Sequence, residues 1–183
     1  MTVSVYLPDS EPGPISTSLA ASPASLKGLR IAVLDNGKPN ADVVMIHAAE
    51  ALAARTGAVV SVITKKGPLG QSANAAIPLA EDRLALLLDE ADIVITGAAD
   101  CGSCTAYSVH DAIELERNGK PTVVATTTQF EPVAKTLSTS FGAPGTRLLV
   151  LPHPIGGTDE PTLNAWAEAA VDQLIALFTG ITQ

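Results

Sequence analysis

From Leu29 onward, short apolar runs rich in branched residues alternate with longer stretches of helical periodicity. "LRIAVLD" (29–35) is continuously apolar, the pattern of a strand covered on both faces. "ADVVMIHAAEALAARTG" (41–57) repeats its apolar positions at helical spacing through Val43, Ile46, His47, Ala49, Leu52 and Ala53, then stops at Gly57. "AVVSVIT" (58–64) predicts a second strand, residues 67–77 a loop, and "AEDRLALLLDEA" (80–91) a second helix. "DIVITG" (92–97) predicts a third strand. A helix over about residues 104–118 should follow, with Ser103 as its N-cap and Gly119 past its end. "PTVVAT" (121–126) and "RLLVLP" (147–152) predict two further strands, separated by a helix over "PVAKTLSTSFG" (132–142). A single last helix is expected over "PTLNAWAEAAVDQLIALFTG" (161–180), with Pro161 in its first turn.

This alternation implies an α/β fold: one doubly wound, flavodoxin-like parallel sheet of about five strands, with helices on both faces and right-handed crossovers. Residues 1–27 differ. They are rich in Pro and Ser, with one alternating piece, "TVSVYL". They are expected to form an extended N-terminal arm with one edge strand, loosely ordered or tied to a neighbouring subunit. The α/β domain then spans 28–183.

Composition agrees with this division. A chain of 183 residues, 46% of them hydrophobic, can build a large core without disulfides or structural metals. Aromatics are only 3%, so small-residue helices must pack on a branched sheet. A net charge of −8 without a basic stripe argues against nucleic acid and against anionic membranes. No apolar run reaches the ~18 residues of a membrane span. "MTVSVYLPDSEPGP" lacks the basic start and apolar centre of a signal peptide. The expected compartment is the cytoplasm, where a CxxC serves catalysis or metal binding rather than structural stapling.

Candidate chemistry collects at the carboxyl ends of the predicted strands, where doubly wound folds bind ligands. Asp35, Asn36, Gly37 and Lys38 follow the first strand, and Asp100, Cys101, Gly102, Ser103 and Cys104 the third. Thr126, Thr127, Thr128 and Glu131 follow the fourth, and "PHPIGG" with His153 the fifth. The two cysteines sit at a strand–helix turn whose free N–H groups and dipole favour an anion, while Asp100 opposes one. From the residues alone, Cys101 and Cys104 could be a reactive pair, half of a metal site or two inert small hydrophobes. The three histidines, His47, His110 and His153, are far off in sequence, so no metal is expected. "LDNGKPNAD" has one glycine rather than three, so no nucleotide cofactor is expected. His110 shares helical spacing with Ala106 and Ile113 and should face the apolar side of its helix. Asp111 reads as cover for that helix's outer face, and His153 is better placed to meet substrate.

"IAVLDNGKPNAD", "GAADCGSCTAYSVHDAIELERNGKPTVV" and "PHPIGG" together resemble the UGSC family, in which selenocysteine or cysteine followed by Gly-Ser-Cys comes after a strand. The resemblance covers roughly residues 24–157. It implies that Cys101 holds the place of the reactive chalcogen and Cys104 that of its partner. A position that accepts selenium implies a nucleophile or redox centre rather than a structural thiol. A looser likeness links the chain to the selenocysteine-containing substrate subunits of glycine and proline reductases.

The expectation is therefore a small-molecule enzyme with Cys101, Cys104, His153 and Asp35 catalytic, and with Asn36, Lys38, Ser103, Thr127, Thr128 and His110 contacting substrate. Lys38 would pair with a substrate carboxylate and His153 would move a proton. No cofactor is expected beyond an external thiol reductant, and a homo-oligomer is expected. Two rivals remain at this point. One is a non-redox isomerase, lyase or dehydratase using thiol and thiolate for proton transfer, as in aspartate/glutamate racemases. The other is a thiol carrier serving another protein.

Overall fold

The computed structural model describes residues 17–65, 67 and 71–181. Strands β1 (Arg30–Asp35), β2 (Val59–Thr64), β3 (Ile93–Ala99), β4 (Thr122–Thr127) and β5 (Arg147–Leu151) pair in parallel in the order β2-β1-β3-β4-β5. This is the flavodoxin-like order and the α/β fold predicted. Successive side chains leave opposite faces of the sheet, so each strand feeds two cores. Ile31, Val33, Ile93 and Ile95 pack beneath α1 (Ala41–Thr56), α5 (Glu160–Ala169) and α6 (Val171–Thr179). Ala32, Leu34, Val94 and Val124 face α2 (Glu81–Glu90), α3 (Gly102–Arg117) and α4 (Glu131–Ser140).

The structure departs from the expected elements in four places. The last helix is two, α5 and α6, jointed at Ala170. There the N–H of Ala170 is shared between the carbonyls of Trp166 and Ala167, a tightening that lets α5 lie on α1 while α6 reaches β5. The expected loop contains a 3-10 turn, Gln71–Ala76, which packs on α3. Cys101, rather than Ser103, caps α3.

The fourth departure concerns residues 17–27, which are held by their own domain along the amino-terminal edge of the sheet. Glu116 accepts from the N–H groups of Ala20 (2.7 Å) and Thr122 (2.8 Å) and from the guanidinium of Arg147. Arg147 in turn donates to the Ala20 carbonyl (2.8 Å) and to Ser22 (3.2 Å). Both charged groups are buried, so each depends on the other for compensation. The predicted edge strand at 2–7 lies outside the described residues. Among the described residues no helix is long and apolar enough to cross a membrane.

Strand order reverses between β1 and β3, and doubly wound sheets bind their ligands outside the carboxyl ends of the strands at such a reversal.

Candidate functional site

The third strand ends irregularly. Gly97 has φ +103°, Ala98 has φ +48°, and the register against β4 shifts between Gly97 and Ala99. A Cβ on Gly97 would lie 2.4 Å from the Ala125 carbonyl oxygen, so the close approach of β3 to β4 requires glycine here. Ala98 holds a left-handed conformation that costs an L-residue roughly 1 kcal/mol. The bulge bends the strand end and leaves Asp100 and Cys101 half-buried beyond it.

Cys101 is extended (φ −146°) and begins α3; its Sγ accepts the Cys104 N–H at 3.4 Å. Its carbonyl accepts from the Thr105 N–H (3.0 Å) and hydroxyl (2.6 Å), fixing the first turn. Cys101 and Cys104 are joined as a disulfide, with Cα atoms 5.5 Å apart. The two sulfurs are unequal in exposure. Cys101 is half-buried, whereas Cys104 is fully buried against Ala75 and Ala99. Ser103 is exposed, with Oγ 3.9 Å from the Cys101 sulfur.

Polar bonds tie the strand-end loops to one another. Asn36 donates to the Gly97 carbonyl at 2.5 Å, tying the end of β1 to β3, and its Oδ1 accepts the Lys38 N–H. Asp100 accepts the Gly156 N–H at 3.0 Å, joining the CGSC turn to "PHPIGG". Asn40, in the left-handed region at φ 66°, donates to the carbonyls of Ile155 (3.0 Å) and Thr158 (2.9 Å). Thr127 Oγ1 meets His153 Nδ1 at 3.1 Å, with the Phe130 ring 5.9 Å from the imidazole. The structure thus gathers Asn36, Lys38, Cys101, Cys104, Thr127 and His153 into one linked group of loops. Thr128 follows Thr127 at the exposed rim.

Asn40 and Asp100, which tie these loops together, are not among the residues expected to act on substrate. An Asn immediately before a helix, able to adopt the left-handed region, was the available signal for the first. Asp100 stands next to Cys101, and its charge alone gives no sign of its bond to Gly156.

Two expected orientations on α3 are exchanged. His110 is exposed, edge-on to Phe141 at the end of α4, in a recess of about 160 Å³ away from the strand ends. Asp111 is buried instead, bonded to Lys65 Nζ at 2.5 Å and to the Leu79 N–H at 2.9 Å. The helix turns its carboxylate inward because Lys65, itself buried at the end of β2, supplies the countercharge.

Asp35 is buried with Oδ1 accepting the Gly37 N–H at 2.7 Å. Burial pushes its carboxyl above the ordinary carboxylate range, the Gly37 N–H pulls it back, and the Asp42 charge adds to the rise. The folded chain therefore holds this proton more tightly than the unfolded one. The penalty for ionising it is absent below the unfolded value and grows as pH rises through the folded value. Asp35→Asn keeps an acceptor for Gly37 and removes the charge. Its melting temperature should exceed that of the wild type at neutral pH, with the gap closing on acidification. A gap independent of pH would contradict this reading.

Residues 5–180 match the model of the UGSC family. Among curated proteins none matches the chain. Among solved structures, a short-chain flavodoxin associated with a non-canonical PDU bacterial microcompartment is 14% identical, covering 79% of this chain and 97% of its own, with a TM-score of 0.41. An NAD(P)H:quinone oxidoreductase from Methanothermobacter marburgensis is 15% identical, covering 79% of this chain and 98% of its own, with a TM-score of 0.44. Likenesses this distant carry no functional weight.

Proposed function

The chain belongs to the UGSC family, and from that premise we propose a small-molecule thiol enzyme in which Cys101 is the nucleophilic, redox-active sulfur and Cys104 resolves its adducts. The unequal exposure of the pair carries this reading. A half-buried sulfur at a helix N-terminus can meet substrate, while a fully buried one three residues on can reach only the first.

In the reduced pair, the Cys104 N–H and the α3 dipole favour the thiolate at Cys101. That thiolate attacks an electrophilic centre of the substrate, and the leaving group departs with the bonding electron pair. His153, whose Nδ1 meets Thr127 Oγ1, would protonate it. Cys104, losing its proton, then attacks the Cys101 sulfur. The bond from Cys101 to the substrate fragment breaks, and the fragment leaves with those electrons and takes up a proton. The two thiols lose two electrons and the substrate gains two. An external thiol or dithiol reductant reopens the disulfide.

Lys38, half-buried and without an ion pair among the described residues, suits a substrate carboxylate. Asp35 would retain a proton to higher pH than an exposed carboxyl, which fits a donor role. Ser103 and Thr128 offer hydroxyls at the rim, while Asn36 acts by holding β1 against β3. His110 has no part in this scheme.

Mild oxidation of the reduced full chain should lower its mass by two hydrogens, with peptide mapping placing the new bond between Cys101 and Cys104. Cys104→Ser should lose this change and accumulate a substrate or thiol adduct on Cys101. A wild-type mass unaffected by oxidant would overturn the redox reading in favour of proton transfer.

A further inference from the structure

The outer edge of β2 is open. Among the described residues β2 pairs only with β1. Val59 and Lys65 donate to the carbonyls of Leu29 and Asp35 on that side, so the backbone groups of Val60, Val62 and Thr64 point the other way. The strand, "VVSVIT", carries no charge and no proline, and Val59 and Val62 are 63% and 47% exposed. Edges of this kind invite pairing unless guarded, and no described segment guards this one.

A groove of about 520 Å³ runs between this edge and α2, lined by Val62 and Thr64 on one side and Arg83, Leu86 and Glu90 on the other. The last three share one helical stripe, with a cation at one end, an anion at the other and leucine between them. The Ser61 hydroxyl and Arg83 Nε are buried without a hydrogen-bond partner; the nearest anion to Nε is Asp82, at 3.5 Å.

We propose that two copies of this chain associate through this edge, β2 antiparallel to β2 and α2 against α2, joining their sheets into one. The charge order on α2 selects this arrangement. A two-fold axis passing near Leu86 brings each Arg83 opposite the second copy's Glu90, so both ion pairs form at once. Parallel pairing would instead oppose Arg83 to Arg83 and Glu90 to Glu90. The second copy supplies the missing ladder partners of Val60, Val62 and Thr64 and an acceptor for Arg83. Both CGSC turns, at the carboxyl ends of β3, stay outside the contact.

Sedimentation equilibrium of the reduced full chain should give twice the chain mass. Val62→Lys should give the single-chain mass with an unchanged circular dichroism spectrum. Arg83→Glu and Glu90→Arg, each alone, should weaken association about tenfold or more, because like charges then meet across the axis. The double swap should restore it. Leu86→Cys, close to the axis, should cross-link to itself under oxidant where the wild type does not. A single-chain mass for the wild type would overturn the proposal, whatever else covers the strand. So would a dimer unaffected by Val62→Lys and by both single swaps.

Discussion

Cys101→Ser should slow attack of the reduced chain on a small aromatic disulfide by on the order of a thousandfold or more. The hydroxyl does not ionise near neutral pH, and the only remaining thiol, Cys104, is fully buried. The fold should be unaffected. Cys101 occupies the N-cap of α3, and serine is a favoured residue there, able to accept the same Cys104 N–H. A melting temperature equal to that of the wild type would therefore mark the loss as chemical. Cys104→Ser should behave differently, keeping the fast first attack and halting at a mixed disulfide. A Cys101→Ser rate within a few-fold of the wild type would contradict the assignment.

Gly97→Val is expected to leave little folded protein. Valine would carry its Cβ to within 2.4 Å of a backbone oxygen of a fully buried neighbouring strand, at a φ of +103° that a branched residue does not adopt. Such a clash, with no flexible side chain to yield, should cost more than about 4 kcal/mol. Small domains have only about 5–15 kcal/mol in all. The damage extends to the site, because the Gly97 carbonyl is the acceptor that Asn36 uses to hold β1 against β3. Denaturant unfolding measures this directly, and a wild-type midpoint would contradict it. Gly97→Ala meets the same oxygen and should also be destabilised, without the added cost of β-branching.

The sheet was legible in the sequence because each strand is a short branched run between turn residues, and parallel strands buried on both faces need nothing subtler. The strand-end location of the cysteines followed from the same pattern. What escaped were contacts between residues far apart in the chain. Asp111 and Lys65 are 46 positions apart, and Glu116 and Arg147 are 31 apart. Periodicity assigns a carboxylate on a helix to solvent and cannot see a distant cation that draws it inward. His110 followed its apolar neighbours in spacing, yet the inward place beside it was taken by Asp111. The joint at Ala170 has no glycine or proline to announce it and arises from what the two halves pack against. Ser103 is a favoured type of cap, whereas the helix begins two residues earlier and the Cys101 sulfur takes the role. Asn40 and Asp100 act by bonding to backbone atoms of the 155–158 loop, which no local pattern reveals.

Competitive alkylation distinguishes Cys101 as the reactive sulfur from Cys104 as its sheltered partner. The reduced full chain would be treated with limiting iodoacetamide across a range of pH and both cysteine peptides quantified. Carbamidomethylation should appear first at Cys101, and should persist below the pH at which an ordinary exposed thiol ceases to react, with Cys104 modified only on unfolding. Modification that begins at Cys104, or proceeds equally at both, would contradict that assignment.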